Sequence, residues 1–272
     1  MSDTDYALGH AEAELRRLST QARLIDPITR RFLEAAGIAK GMRILDIGSG
    51  AGDVALLCGE LVGPTGEVVG TDLALAAVER AERRAKNAGS CRISFRQGDP
   101  ADLNFDEPFD AIVGRYVLQF MPDPAQSLRR IVRHLRPGGV VVFHELDWDG
   151  ARSSPPSPTY DEVCVWLSRT IEAAGAQVRL GARLGSLFED AGLPPPTLRL
   201  EAAISSGPRA VNLVHLVTDL VETLLPTMER LGIVAASQVD PPTLVDRILS
   251  EVGIGGTLIG RSEIGAWTAK PQ

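Results

Sequence analysis

The chain has 272 residues, of which 44% are hydrophobic, and it carries a formal net charge of −7 at pH 7. This length suits one large domain, or one domain with a sizeable insertion, and the composition is sufficient for a substantial core. The negative charge argues against a large nucleic-acid surface, which is built on lysine and arginine, and no apolar run approaches the length of a membrane helix.

The first part of the chain predicts an N-terminal helical cap over residues 1–37. One helix is expected over 8–24 and a second over 28–36, which starts after the Asp26-Pro27 capping pair. Short apolar strands then alternate with helices, a pattern typical of a parallel, doubly wound sheet. The predicted strands are 42–47, 67–71, 92–97, 111–114 and 140–146.

The rest of the chain departs from this alternation. Two late strands, 198–204 and 257–268, enclose a helical insertion over 207–254 that is interrupted near Pro226. Its long apolar face is either plain core or a lid over a substrate pocket. We predict an α/β fold with a doubly wound, mostly parallel, seven-stranded Rossmann-like sheet, and one domain that spans 38–272.

The most informative motif follows the first strand. Asp46 ends the strand, and the glycine-rich turn 48–52 leads directly into a helix. Such a turn lets backbone N–H groups approach a polar ligand with no Cβ in the way. The dinucleotide-binding fingerprint would need a third glycine at the position of Asp53, so a nicotinamide dinucleotide is disfavoured.

Further candidate residues follow the other strands. Ligands of doubly wound sheets collect at the carboxyl ends of the strands. Thr71-Asp72-Leu73 ends the second strand, and a carboxylate there can accept hydrogen bonds from both hydroxyls of a ribose. Gln97-Gly98-Asp99-Pro100 ends the third strand, Arg115-Tyr116 follows the fourth, and Pro137-Gly138-Gly139 precedes the fifth.

In this order and spacing, these motifs resemble those of class I S-adenosylmethionine (SAM)-dependent methyltransferases. The resemblance covers roughly residues 25–147 and is nearest to the broad group that includes the ubiquinone and menaquinone biosynthesis methyltransferases. It implies that the glycine turn lies under the methionyl part of SAM, Asp72 holds the ribose, Leu73 lies against the adenine, and Asp99 accepts from its exocyclic amine. Pro100 lacks the N–H that the family offers to the ring, so we expect Ala101 to replace it.

The resemblance and the N-terminal helix together define the predicted cofactor site. Gln21 is included because helical N-terminal segments cover SAM in many relatives, and its side chain is expected to reach the cofactor's carboxylate. The predicted cofactor-binding residues are Gln21, Asp46, Gly48, Ser49, Gly50, Gly52, Asp72, Leu73, Gly98, Asp99, Pro100, Arg115 and Tyr116.

Methyl transfer from a sulfonium is an in-line displacement, so positioning in a dry site supplies much of the catalysis. If the acceptor is a hydroxyl, His144 and Glu145 are the candidate catalytic bases, although strand alternation points them to opposite faces. No metal site is predicted, because Arg115 stands where metal-dependent catechol methyltransferases place an acid. The substrate-binding candidates, on segments expected to overhang the strand ends, are Tyr116, Phe120, Trp148, Trp166 and His215.

These patterns predict SAM-dependent methyl transfer to oxygen, carbon or nitrogen of a small, largely apolar molecule. The alternative is a SAM-binding enzyme of the same fold that catalyses a step such as cyclisation or decarboxylation. Three scattered cysteines and the absence of a secretory signal suit a cytoplasmic protein. We expect a small-molecule substrate and neither nucleic acid nor a membrane span; the sequence leaves the oligomeric state open, with a homodimer among the alternatives.

Overall fold

The computed structural model describes residues 12–86 and 91–272. The described helices are α1 (Glu12–Ala35), α2 (Asp53–Val62), α3 (Leu75–Ala85), α4 (Pro124–Ile131), α5 (Pro158–Ala173), α6 (Leu184–Asp190), α7 (Ala210–Arg230), α8 (Ala236–Val239) and α9 (Pro241–Val252). The described strands are β1 (Arg43–Ile47), β2 (Glu67–Asp72), β3 (Arg92–Gln97), β4 (Phe109–Arg115), β5 (Leu135–Asp147), β6 (Arg152–Ser154), β7 (Thr197–Ser206) and β8 (Thr257–Ala269).

The strands follow the order β3-β2-β1-β4-β5-β8-β6, and β7 also pairs with β8. The pairs from β3 to β5 are all parallel, whereas β6 is antiparallel to β8. The strand order reverses between β1 and β4, which is the switch point of a doubly wound sheet. The predicted fold class is confirmed, and the short strand β6 adds to the seven predicted strands. Pro155 follows β6 and cannot donate to a ladder, which is consistent with the early end of that strand.

The chain divides into two compact units. The strand-rich unit comprises Asp26–Glu145, Leu180–Leu200 and Glu263–Gln272. The helical unit comprises Leu146–Arg179, Glu201–Ser262 and the described residues before Asp26. The predicted division into a cap over 1–37 and a domain over 38–272 stays a prediction, and residues 1–11 of the cap lie outside the described part of the chain.

The core of the strand-rich unit has two apolar layers, one on each face of the parallel strands. On β1, Ile44 packs into the layer that contains Val54 and Val78 of α2 and α3. Leu45 packs into the opposite layer with residues of α4 and α6. Burial on both faces explains why these strands read as nearly continuous apolar runs.

Helix α1 runs unbroken through Pro27, so the predicted helix boundary at Asp26-Pro27 is wrong. The Asp26 carboxylate does not cap a helix there, because it pairs with the Arg115 guanidinium, 2.6 Å away. Helix α7 is likewise continuous through Pro226. In both helices the turns on either side of the proline persist, although the ring removes one backbone hydrogen bond.

The helical unit contains the predicted insertion between the last two strands. Helices α5, α7 and α9 pack against one another, and Glu251 of α9 accepts from the Thr159 backbone N–H (3.0 Å) at the start of α5. On α7 the side chains of Val214, Val217 and Leu224 are buried, so its apolar face packs as core. Among the described helices, none combines the length and apolar content that a membrane crossing requires.

Candidate cofactor and acceptor site

The turn between β1 and α2 owes its shape to glycine. Gly48, Gly50 and Gly52 have φ angles of 60°, 53° and 86°, a region that other residues rarely adopt. A Cβ added at Gly48 would lie 2.3 Å from Cγ2 of Val117, whereas one added at Gly50 would meet no atom within 4 Å. The turn is therefore packed at Gly48 and open at Gly50, where a ligand can approach the backbone.

Asp46 lies directly before this turn and is 1% exposed. Neither carboxylate oxygen has a hydrogen-bond partner at normal distance in the described part of the chain. Burial raises the pKa of Asp46 to about 8, an effect only partly opposed by Arg115 and, more weakly, by the Ala55 backbone N–H. A buried carboxyl group with unfilled acceptor positions suits a ligand that brings a cation or hydrogen-bond donors.

Asp72 ties the end of β2 to the turn. Its Oδ2 accepts from the Gly50 N–H (2.8 Å), and its Oδ1 accepts from the Ala74 N–H (2.9 Å). Each oxygen keeps a second lone pair, so a ribose contact remains open to it. Leu73, the next residue, is 65% exposed and offers an apolar surface beside this carboxylate.

In the loop after β3, one backbone N–H group does not have the role expected of it. The Ala101 N–H donates to Asp99 Oδ1 (2.8 Å), so the expected use of that N–H for a ligand is contradicted. This short bond forms because an Asp carboxylate readily accepts from the backbone two residues on.

Two residues that follow α4 hold the loop after β3 through its backbone carbonyl groups. Arg133 donates to the Ala101 carbonyl (2.7 Å), and His134 Nε2 lies 2.9 Å from the Pro100 carbonyl. A carbonyl can only accept, so we assign the proton to His134 Nε2; the same nitrogen then cannot accept from the Arg133 Nε 3.4 Å away.

Two arginines reach the turn or the start of α2: Arg84, whose Nη1 donates to the Ala51 carbonyl (2.6 Å), and the buried Arg115 at the end of β4. Arg115 is 9% exposed, and its Nη1 donates to Asp26 Oδ1 (2.6 Å) and to Thr29 Oγ1 (3.0 Å). Its Nη2 lies 3.9 Å from Asp53 Oδ2 at the start of α2. Burial raises the pKa of Asp26, and the Arg115 charge opposes that rise.

His144, a candidate base, belongs to a buried hydrogen-bonded network. Its Nε2 lies 2.8 Å from Glu263 Oε2, and its Nδ1 lies 3.1 Å from Thr29 Oγ1. Tyr116 donates its hydroxyl to the same Glu263 oxygen (2.6 Å). The sequence alone did not identify Glu263 or Thr29, which are 119 and 115 positions away from His144.

Glu145 points to the opposite face of β5, as strand alternation predicts. Its Oε1 accepts from the backbone N–H groups of Val117 (2.9 Å) and Leu118 (2.8 Å). Burial raises its pKa to about 8. These bonds fix the segment after β4, so a positioning task suits Glu145 better than a base role, which stays a prediction.

The predicted acceptor residues are divided between the two units. Tyr116 and Phe120 belong to the strand-rich unit, where Phe120 is 44% exposed. In the helical unit, Trp148 is buried with the Arg261 guanidinium 5.3 Å from its ring, Trp166 is half-buried, and His215 is exposed. Gln21 also belongs to the helical unit, and all these assignments stay predictions.

A cavity of about 410 Å³ in the strand-rich unit lies elsewhere. Its lining includes Met42, Asp110 and Val140, which stand at the amino ends of β1, β4 and the parallel part of β5. It therefore lies at the edge of the sheet opposite to the glycine turn and does not belong to the predicted cofactor site.

The sheet and its carboxyl edge define a doubly wound α/β protein with a site suited to an adenosine ligand. A family model described as a methyltransferase domain matches residues 38–192, more than half of the chain. The chain belongs to the class I SAM-dependent methyltransferases, and SAM is its cofactor.

Two curated relatives share about a third of their aligned residues with this chain. The demethylmenaquinone methyltransferase of Staphylococcus carnosus (strain TM300) is 31% identical over 134 residues, which cover 49% of this chain and 52% of the relative. The "uncharacterized 37.1 kDa protein in transposon TN4556" of Streptomyces fradiae is 33% identical over 171 residues, covering 61% and 48%. The chain thus spans about half the length of these relatives.

Solved structures show the same fold at lower identity. A putative methyltransferase from Bacillus halodurans has a TM-score of 0.59 at 18% identity, covering 89% of this chain and 98% of that one. A phosphoethanolamine N-methyltransferase of Haemonchus contortus in complex with SAM has a TM-score of 0.52 at 20% identity, covering 89% and 52%.

Proposed function

We propose that this protein transfers a methyl group from SAM to a small, largely apolar molecule, with the cofactor along the carboxyl ends of β1, β2 and β3. The observation that carries the proposal is the buried Asp46 carboxyl group, whose oxygens have no hydrogen-bond partner at normal distance among the described residues, beside a turn that is open at Gly50. SAM supplies a positively charged amino group and sulfonium, and a positive charge near a buried carboxyl group favours its ionised form.

Each remaining strand end has a task in this arrangement. Asp72 holds the ribose with the lone pairs that Gly50 and Ala74 do not use. The exposed Leu73 covers one face of the adenine. Asp99 keeps one carboxylate oxygen for the exocyclic amine, since its other oxygen accepts from Ala101. Arg115 supplies the cation for the carboxylate of SAM.

The acceptor is proposed to be small and apolar for two reasons. The curated relative from Staphylococcus carnosus is named for demethylmenaquinone, and the net charge of −7 disfavours strongly anionic partners. Incubation with SAM and a panel of apolar acceptors, followed by product mass and measurement of S-adenosylhomocysteine, tests this. A converted acceptor without release of S-adenosylhomocysteine would indicate the alternative, non-methylating chemistry.

Cofactor binding is measured by thermal melting with SAM, S-adenosylhomocysteine or NAD. A ligand at a hundred times its dissociation constant stabilises by about 2.7 kcal/mol, so we expect a clear rise in Tm with SAM. Asp72→Ala should abolish most of that rise, because it removes the ribose contact and the bond to Gly50.

Asp123→Ala is the matched control, since Asp123 only caps α4 through the Gln126 N–H. It should lower Tm without SAM and keep the SAM-dependent rise. A rise with NAD and none with SAM would refute the proposed function.

A further inference from the structure

Five side chains of the strand-rich unit form one continuous hydrogen-bonded chain. It runs from Arg115 through Thr29, His144 and Glu263 to Tyr116, with donor–acceptor distances between 2.6 and 3.1 Å. Arg115 is 9% exposed, and Thr29, His144 and Glu263 are 2% exposed or less. Tyr116 alone among the five is half-buried, so the network includes one residue that is partly open to solvent.

Two of these hydrogen bonds have a fixed direction. Arg115 can only donate, so Thr29 Oγ1 accepts from it. The Tyr116 hydroxyl donates to Glu263 Oε2. The His144 ring lies between the two ends, with Nδ1 3.1 Å from Thr29 Oγ1 and Nε2 2.8 Å from the same Glu263 oxygen. Glu263 thus already receives the proton of the Tyr116 phenol.

The backbone at Tyr116 has the conformation that this contact requires. Its φ is 55°, which costs a bulky residue of the order of 1–2 kcal/mol. Consecutive strand residues point to opposite faces, yet Arg115 and Tyr116 both join this network. The neighbouring Val117 packs on Gly48 of the cofactor turn, so Tyr116 is one residue away from a direct contact with that turn.

We propose that Tyr116, with Glu263 behind it, removes the proton of the methyl acceptor, and that the acceptor group is a phenolic or enolic hydroxyl. This inference rests on the proposed function. Tyr116 is the catalytic residue because it contacts the acceptor, whereas Glu263 and His144 are positioning residues that act through it.

The acceptor oxygen forms a bond to the methyl carbon, the carbon–sulfur bond breaks, and its electron pair returns to sulfur, which gives S-adenosylhomocysteine. The acceptor proton passes to the Tyr116 oxygen while the Tyr116 proton passes to Glu263, which later releases it to water. A phenolic acceptor suits this relay because its pKa is near that of tyrosine, about 10, and proton transfer between matched groups is the most efficient.

The experiment compares naphthol with naphthylamine, which share a ring and differ only in hydroxyl and amine. The neutral amine can attack without first losing a proton, so only the hydroxyl needs the relay. We expect Glu263→Gln and Tyr116→Phe to lower the rate of naphthyl methyl ether formation about a hundredfold more than they lower the rate of N-methylation. Structural damage would lower both rates.

Tyr160→Phe is the matched control, because the Tyr160 hydroxyl donates to the Ile259 carbonyl (3.1 Å) within the helical unit; it should preserve both rates. Equal losses for hydroxyl and amine in Glu263→Gln would refute the relay. So would a wild-type protein that melts higher with SAM yet neither binds nor methylates naphthol. A wild-type protein without any SAM-dependent rise in Tm would instead overturn the proposed function.

Discussion

The carboxyl groups of Asp46 and Glu145 are both fully enclosed by the protein. Burial raises the pKa of each to about 8, compared with about 4 for a carboxyl group in an unfolded chain. Between these values the folded state holds a proton that the unfolded state has lost. The free energy of unfolding therefore falls as the pH rises, by up to about 1.4 kcal/mol per pH unit for each group, until the folded pKa is passed.

At the residue scale, we expect Asp46→Asn to weaken this pH dependence, because the amide stays neutral at every pH. Urea unfolding between pH 5 and pH 8 should show wild-type stability that declines with pH and a flatter profile for the variant, with the largest gain at the alkaline end. Asp123→Asn is the control, since Asp123 caps α4 at the surface. Parallel profiles for wild type and Asp46→Asn would contradict a protonated Asp46.

At the scale of the element, the turn between β1 and α2 combines backbone strain with close packing. Gly48 and Gly232 have similar φ angles, 60° and 67°, but only at Gly48 would a Cβ collide with a neighbour, namely Val117. We expect both alanine variants to lose about 1–2 kcal/mol from backbone strain. Gly48→Ala should lose about 1–3 kcal/mol more from overpacking, together with its SAM-dependent rise in Tm.

Urea unfolding and melting with SAM check this expectation. Adding Val117→Ala to Gly48→Ala should restore part of the lost stability, because it removes the methyl group nearest to the new Cβ. Equal losses at the two glycines, or no recovery in the double variant, would show that packing against Val117 does not matter.

The same turn illustrates what the sequence could predict. Asp46, the glycines and Asp72 follow strands whose carboxyl ends must meet at one edge of the sheet, so local order was enough to bring them together. The Glu263 contact with Tyr116 joins residues 147 positions apart, and no local pattern marks such a pair. Asp26 was assigned to a helix cap because Asp-Pro is a frequent start signal, whereas its ion pair with Arg115 is set by tertiary packing.

For the whole molecule, the division into two units bears on whether the helices of the insertion form core or a lid. The apolar face of α7 is buried, and α7 packs against α5 and α9 of the same unit, so core packing explains it without a lid function. We expect SAM to slow hydrogen exchange at residues 46–52, 72–74 and 99–101, and to leave α7 unchanged. The amino-end segment 138–140 is the control within the strand-rich unit. Slowed exchange in α7 would instead support a lid.

The left-handed backbone at Tyr116 places this position under two opposed selective pressures. Glycine or asparagine would relieve the strain at φ 55°, so a library selected only for folding should drift toward them. Selection for methyl transfer should restore tyrosine, because neither replacement carries a phenol to Glu263. Where stability and activity favour different residues, the residue that is present shows which property was selected. Tyrosine at 116 therefore indicates selection for activity.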